Sequence, residues 1–252
     1  MTTPLENHDP TPAPSLPEAT VKSWARVNAA SAVSSSRKLI VMALREAIVS
    51  GEIGAGQQLK QDELAATFRV SPAPVREALW QLASEGLVRH HPNRGAFVTE
   101  LPTDEAIGVL LPVRLLLEDH ALRRVARNLG EQLVRDLERQ ILVMQQGADR
   151  GDVATINEAD VRFHELAMEA SGAYHAIQLW HSVLPRIRRQ LYVLTPRHAD
   201  LQYVPEEHRV LLCALQAGDP ENLSATLREH IITASSTLMA GAAQPLDHDN
   251  GP

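Results

Sequence analysis

The residues with the clearest chemical potential are one aspartate and three histidines in the second half of the chain. Asp160 and His164 are four positions apart, so on a helix they share one face and can bind a single ion. His208 and His230 follow in later segments, and apolar residues flank all four positions. Polar groups that point into an apolar bundle need partners, and one divalent metal ion satisfies several of them together. The set therefore predicts a metal site inside a helical bundle.

The donor atoms narrow the choice of metal and leave alternatives open. Three imidazoles and a carboxylate are borderline-soft N/O ligands that suit Zn²⁺ or Ni²⁺, and an octahedral ion would keep open positions for water or a ligand carboxylate. One alternative is that the histidines are core residues satisfied by protein hydrogen bonds. Another is an all-α metallohydrolase that uses a metal-bound water. Glu165 follows His164 directly and should point off the metal face, so no general base stands out.

A second group of residues, in the first half of the chain, has the pattern of a helix-turn-helix. Two short apolar repeats predict helices over 62–69 and 72–85, separated by a turn that ends at Ser71. Ser71 is a suitable N-cap and Pro72 suits the first helical position. The free N–H groups at such a helix start favour a phosphate. Arg76 lies opposite the apolar face, where it can read a major groove.

A hairpin follows this second helix. Two β-type runs flank the turn Pro92-Asn93-Arg94-Gly95, which predicts a wing with Arg94 and Gly95 at its tip. A slender tip of this kind can enter a minor groove or follow the phosphate backbone. Helix-turn-helix geometry also occurs in proteins that bind no DNA, but the ordered combination of helices, outward arginine and arginine-tipped wing favours a DNA-binding domain.

The pattern of helices and strands around the Asp/His set and the helix-turn-helix residues predicts a mainly α fold. In this fold a winged helix-turn-helix precedes an all-α bundle. The predicted organisation is a flexible leader over 1–34, a winged helix-turn-helix domain over 35–101, an all-α metal- and effector-binding domain over 102–241 and a flexible tail over 242–252. Beside the two short helices, periodicity predicts helices over 36–50, 104–128, 131–148, 152–171, 174–195, 204–217 and 219–240, with breaks at glycines that include Gly147 and Gly151.

The distribution of charge separates the two halves. The chain has 252 residues and a net charge of −7, which excludes a uniformly basic DNA-binding protein. Residues 35–100 hold 8 Lys/Arg and 7 Asp/Glu, a net +1, whereas residues 101–252 hold 14 Arg and 21 Asp/Glu, a net −7. The single cysteine, Cys213, excludes an intrachain disulfide and favours a reducing, cytoplasmic compartment. No apolar run approaches the length of a membrane span, so no membrane partner is expected.

The first half resembles the GntR family of bacterial transcription regulators. The resemblance rests on the segments PVREALWQLASEGLV and PNRGAFV and covers roughly residues 36–100. The family usually has an arginine directly after the serine that caps the recognition helix, and here that position is Pro72, which removes one expected contact. The resemblance implies contacts with operator DNA at the helix start and the wing tip, namely Ser71, Ala73, Pro74, Arg76, Arg94 and Gly95.

The second half is similar to the FCD ligand-binding domain of FadR-type members of that family. In metal-binding members an Asp and a His four positions apart are joined by two later His about 22 residues from each other, which implies Asp160, His164, His208 and His230 as ligands of a Zn or Ni ion. The resemblance also implies a small organic acid that completes the coordination. Arg114 and Arg186 are candidates for its carboxylate clamp, although Arg114 can instead pair with Glu118. The motifs that carry the similarity are Val113-Arg114-x3-Glu118, Asp160-x2-Phe163-His164, Glu207-His208, Ala217-Gly218-Asp219 and Arg228-Glu229-His230.

The leading hypothesis is therefore a metabolite-responsive repressor rather than an enzyme. It would bind double-stranded operator DNA as a homodimer and respond to a small carboxylate bound beside a divalent metal. The alternatives are a regulator that senses the metal ion itself, or the all-α metallohydrolase.

Overall fold

The computed structural model of the chain describes residues 33–241 and separates into two compact units, with the boundary between Glu100 and Leu101. The predicted tail over 242–252 and the predicted leader up to residue 32 lie outside the described residues. The first helix begins at Val33, three positions before the predicted start. The predicted fold class, a winged helix-turn-helix followed by an all-α bundle, is confirmed.

The first unit is a three-helix core with a small antiparallel sheet. Its strands lie in the order β1-β3-β2, and β2 pairs with β3 from Val88 opposite Val98 to His91 opposite Gly95. The elements in chain order are α1 Val33–Val49, β1 Gln58–Leu59, α2 Gln61–Phe68, α3 Pro72–Ser84, β2 Val88–His91 and β3 Gly95–Val98. The predicted hairpin is thus present, and β1, whose two residues are too few to give a periodic signal, adds a third strand beside β3.

The apolar faces of the three helices meet in one core. Leu44 of α1, Leu64 of α2 and Leu79 of α3 are completely buried, and burial of side chains of this size contributes about 1.5–3 kcal/mol each. A two-pronged ion pair from Arg45 to Glu85, with N···O distances of 2.8 and 2.6 Å, ties α1 to the end of α3. These contacts fix the direction of the recognition helix.

The second unit is a bundle of long helices. A short helical turn Thr103–Glu105 and a π-helical segment Ala106–Leu110 lead into its first helix. The helices are α4 Leu111–Ala126, α5 Glu131–Arg150, α6 Val153–Ala170, α7 Tyr174–Leu194, α8 Tyr203–Ala217, α9 Pro220–Arg228 and α10 Ala234–Gly241. A second π-helical segment, Glu229–Thr233, joins α9 to α10, so the single predicted helix over 219–240 contains a local change of winding.

The bundle core consists of two clusters of buried apolar side chains. The larger cluster includes Leu137 and Met144 of α5, Phe163 of α6 and Leu211 of α8. The smaller one is formed by Leu117 and Ala121 of α4, Met168 of α6 and Trp180 of α7. No helix among the described residues is long and apolar enough to cross a membrane.

The sequence predicted a break at Gly147 and Gly151. Gly147 lies inside α5, which continues to Arg150, and Gly151 is the residue that ends the helix. A Cβ added at Gly147 would lie 2.9 Å from Ile156 Cγ1 and 3.2 Å from the carbonyl oxygen of Asp152. The missing side chain therefore allows the start of α6 to pack directly against α5.

We expect Gly147→Ala to lower the free energy of unfolding of the bundle by about 1–3 kcal/mol, because crowding at Ile156 outweighs the gain of about 1 kcal/mol in helix propensity. Gly108→Ala is the matched control, since its added Cβ meets nothing within 4 Å. Urea unfolding followed by circular dichroism would measure both. An equal effect of the two substitutions would contradict close packing at Gly147.

Candidate functional site

The predicted metal ligands come together in the middle of the bundle. α6 carries Asp160 and His164 one turn apart, α8 carries His208, and the π-helical segment after α9 carries His230. One potential ligand atom from each residue lies within 4.8 Å of the other three. All four side chains are at least nine-tenths buried. The structure therefore assembles the set that the sequence predicted from residues up to 70 positions apart.

Two of the three imidazoles, those of His164 and His208, are oriented by close partners on their outer nitrogens. His164 Nδ1 lies 2.7 Å from Glu118 Oε2, and the Nδ1–H of His208 donates to the carbonyl oxygen of Val204 at 2.8 Å. His230 Nδ1 lies 3.5 Å from Glu207 Oε2 and has no hydrogen-bond partner among the described residues. Partners like those of His164 and His208 fix the tautomer and turn the Nε2 lone pair toward the centre, which is how histidines are held in metal sites.

The Nε2 atoms of the three rings and the Asp160 carboxylate oxygens converge, and two of these atoms have no hydrogen-bond partner among the described residues. His164 Nε2 is 3.1 Å from His230 Nε2, and His208 Nε2 is 3.4 Å from Asp160 Oδ2. His208 Nε2 and Asp160 Oδ1 are buried and have no hydrogen-bond partner among the described residues. Since buried polar atoms are almost always satisfied, these residues fit a divalent cation at their centre.

The protonation of the cluster favours a metal ion over a proton. Burial lowers the pKa of His208 and of His230 to about 3, so both rings are neutral near pH 7. Burial alone would raise the pKa of Asp160, but the neighbouring His208, His164 and Arg114 lower it below its usual value, which keeps the carboxylate ionised. Neutral imidazoles and an ionised carboxylate are the forms that bind metal.

Arg114 and Glu118 form a buried ion pair beside the cluster, as the sequence had suggested. Arg114 Nε donates to Glu118 Oε1 at 2.8 Å, and the indole N–H of Trp180 donates to the same oxygen at 3.0 Å. Although burial opposes its ionisation, Arg114 and His164 hold the pKa of Glu118 well below its usual range. The guanidinium also interacts electrostatically with Asp160, so Arg114 remains a candidate for the effector clamp. Arg186, the second predicted clamp residue, lies half-buried on α7.

A cavity of about 380 Å³ reaches His230 from the side of α8 and α9. Three carboxylates, Glu206, Glu207 and Glu229, contribute to its lining together with apolar groups such as Val210. A lining of this charge attracts cations and repels organic anions. The cavity thus suits the passage of a metal ion better than the binding of an organic acid.

Sequence reasoning missed the outer partners of the histidines. No sequence pattern indicated that Glu118 orients His164, because the two residues are 46 positions apart in the chain. Glu118 was predicted only as a partner of Arg114. Glu165, which the sequence predicted to point off the metal face, pairs with Arg162 at 2.6 Å.

The predicted DNA-contact residues lie in the first unit at the recognition helix and the wing. Ser71 occupies the N-cap of α3 without using its side chain as a cap, and Ala73 and Arg76 are exposed. Pro74 is buried in the core, a position that favours packing over a contact with DNA. Trp80, which the sequence did not single out, is 59% exposed one turn after Arg76 and stacks on His90.

The wing tip presents its two predicted residues to solvent. Gly95 adopts a φ of +90°, which a residue with a side chain rarely adopts, and this conformation shapes the turn between β2 and β3. Arg94 is exposed, its guanidinium carbon lies 5.9 Å from the centre of the Phe97 ring, and its carbonyl oxygen accepts from Gln58 Nε2 at 2.7 Å. Neighbouring side chains therefore hold the arginine at the tip.

Comparison with known proteins matches both units. Residues 37–98 match the family described as bacterial regulatory proteins, gntR family, and residues 109–233 match the FCD domain. The chain is 31% identical over 192 residues to the gluconate operon transcriptional repressor of Bacillus subtilis, covering 74% of this chain and 78% of that protein. It is 28% identical over 214 residues to a probable D-xylose utilization operon transcriptional repressor of Paenarthrobacter nicotinovorans, covering 85% of this chain and 90% of that protein.

Solved structures agree with the fold. A GntR-type regulator from Rhodococcus sp. RHA1 superposes with a TM-score of 0.69 at 24% identity, covering 83% of this chain and all of the other. Escherichia coli McbR/YncC superposes with the same TM-score at 22% identity, covering 82% of this chain and 98% of the other.

We expect His164→Gln combined with His230→Gln to abolish metal binding, because two of the four converging donors are lost. After loading with Zn²⁺ or Ni²⁺ and dialysis, elemental analysis should find about one metal ion in the wild type and almost none in the double variant. A chelator should lower the melting temperature of the wild type only.

The control for this double substitution is His181→Gln, since His181 is exposed on α7, away from the cluster. It should retain a full equivalent of metal. A double variant that also retained a full equivalent would refute the site.

Proposed function

The chain belongs to the GntR family of bacterial transcriptional regulators and carries an FCD domain, and from this membership we propose that it is a repressor whose bundle binds a divalent metal ion and a small organic acid. Its winged helix-turn-helix would bind double-stranded operator DNA. Binding of the acid in the bundle would change the affinity for the operator, which is a coupling between two distinct sites.

One observation carries the metal part of the proposal. Asp160, His164, His208 and His230 place four ligand atoms within 4.8 Å of one another in a buried centre. The outer nitrogens of His164 and His208 already have protein partners, so the inner nitrogens of these two rings are available to an ion. Zn²⁺ and Ni²⁺ suit this donor set, and an ion that accepts more than four ligands leaves a position for a carboxylate oxygen.

The effector part rests on the charges around the centre. Arg114 lies beside the cluster, and a guanidinium binds a carboxylate with two parallel hydrogen bonds. One relative is described as a gluconate operon transcriptional repressor and another as a probable D-xylose utilization operon transcriptional repressor. These descriptions support a response to a small metabolite. The complete set of four protein ligands also favours a second candidate, a regulator whose effector is the ion itself.

An apolar stripe that runs from the π-helical segment Ala106–Leu110 into α4 supports assembly as a homodimer. Val109, Pro112, Val113 and Leu116 follow one another at helical spacing, and Leu116 is 70% exposed. A contiguous exposed stripe of this kind is typical of a protein contact, and a pair of DNA-binding domains matches a palindromic operator.

Operator binding in the presence and absence of metal and acid tests the proposal. For the metal-loaded protein, a thermal-shift screen of small carboxylates should first identify acids that raise the melting temperature. The same acids should then weaken or strengthen operator binding in a gel-shift titration. If metal alone changes operator affinity and no carboxylate adds to the effect, the metal-sensing alternative replaces the proposal.

We expect Arg76→Ala to weaken operator binding by about 10–100-fold, since the loss of one base-contacting arginine costs about 1–3 kcal/mol. Pro72 leaves the recognition helix without a neighbouring arginine, so little remains to compensate. Arg135→Ala, an exposed arginine of the bundle, is the control and should bind like the wild type. Unchanged affinity of the Arg76 variant would remove it from the interface.

A further inference from the structure

Gln190 is a buried side chain whose hydrogen-bonding groups are unused. It lies on the inner face of α7 between Ile187 and Leu194 and is 6% exposed. Its amide nitrogen Nε2 and its oxygen Oε1 are both buried, and neither has a hydrogen-bond partner among the described residues. A buried amide with donor and acceptor both unpaired is rare in folded proteins and indicates a group that binds something else.

The register between α6 and α7 locates this amide. At one end of the antiparallel pair, Thr195 Oγ1 donates to Asn157 Oδ1 at 2.6 Å, and Arg188 pairs with Glu158. At the other end, Met168 and Trp180 belong to one core cluster. This register puts Gln190 opposite the turn of α6 that contains residues 157–160. By this register Gln190 is expected near the level of Asp160, one of the candidate metal ligands.

Asn157 adds a second unused donor on the same side. It is 2% exposed, its Oδ1 is occupied by Thr195, and its Nδ2 has no partner among the described residues. Asn157 and Asp160 are three positions apart on α6, so both lie on one helix face. On the facing sides of α6 and α7 the bundle thus buries two neutral amides with open hydrogen-bonding positions.

The unpaired donors and acceptor of these amides determine which chemical groups of a ligand could bind them. An alkyl or aromatic chain would leave all the open positions unpaired, and a carboxylate would use only the donors. A hydroxyl group both accepts and donates, so it can satisfy the amide nitrogen and the amide oxygen of Gln190. The acidic cavity beside His230 is lined by residues of α8, of α9 and of the segment after it, and neither Gln190 nor Asn157 contributes to that lining.

We propose that Gln190 and Asn157 bind the hydroxyl groups of the effector, which is then a hydroxylated carboxylic acid rather than a fatty or aromatic acid. The inference rests on the proposed function, because it assumes that the carboxylate of this effector binds at the metal. Sites built to hydrogen-bond a hydroxyl discriminate strongly against the analogue that lacks it, since their own polar groups then stay unpaired.

Calorimetry on the metal-loaded, full-length protein tests the inference with acids matched in carbon number. The pairs are glycerate with propionate, threonate with butyrate, and D-gluconate with hexanoate. At least one hydroxylated acid should bind about tenfold or more tighter than its partner. In Gln190→Leu this preference should fall by about tenfold, while binding of the unsubstituted acid stays equal or becomes tighter.

A control and a second measurement separate this role from a structural one. Gln132→Leu removes an exposed glutamine of α5 and should keep the preference. Without any acid, Gln190→Leu should melt at the same or a higher temperature, because it removes an unpaired buried amide. A loss of melting temperature together with an equal loss of affinity for both acids would mean that Gln190 is only structural and would overturn the inference.

The outcomes also distinguish the inference from the function on which it depends. If the unsubstituted acids bind the wild type as tightly as the hydroxylated ones, the inference is overturned and the organic-acid effector stands. If no acid of either kind binds the metal-loaded protein, the effector proposal fails and the inference fails with it.

Discussion

The bundle depends on the compensation of charge buried at its centre. Asp160 and Glu118 are both buried and both ionised, and Arg114 supplies one positive charge to their two negative charges. The neutral rings of His208 and His230 add no charge. An uncompensated buried carboxylate is costly. A divalent cation at the converging ligand atoms would offset the excess of one negative charge that these groups leave. Contacts of these groups join α4 to α6, α4 to α7 and α6 to α8, so the charge balance and the helix packing are parts of one arrangement.

The types and spacings of residues were enough to predict this centre, but not its surroundings. Asp160 and His164 are local on a helix, and the apolar flanks of His208 and His230 indicate that they point inward. The partners of the rings could not be predicted in the same way. The Val204 carbonyl is a backbone atom present in every sequence, and the approach of Glu207 depends on how α8 packs. Contacts between distant segments depend on how the helices pack, and helix packing leaves no periodic pattern in a single sequence.

The fold shows the same division between local and non-local information. The helix-turn-helix, the wing and the order of the long helices follow from periodicity, glycine and proline, and the structure has all of them. Of the two glycines predicted as a break, Gly151 ends the helix and Gly147 does not. In the sequence, a glycine needed for close helix packing looks the same as one that ends a helix. The two-residue strand β1 and the burial of Pro74 depend on tertiary neighbours, so neither was visible. Charge is local, and its division between a near-neutral first unit and an acidic second unit could be read directly.

The π-helical segment Glu229–Thr233 links the fold to the site most closely. A π turn has poorer hydrogen-bond geometry than an α turn, and such segments persist mainly where a side chain must take a position that the regular helix does not offer. Here the segment contains His230, and it follows Leu227 and includes Ile231, both completely buried. The wider turn lets the imidazole reach His164 while its apolar neighbours keep their places in the core. The change of winding therefore coincides with the position of His230, a polar candidate ligand on an otherwise apolar helix face.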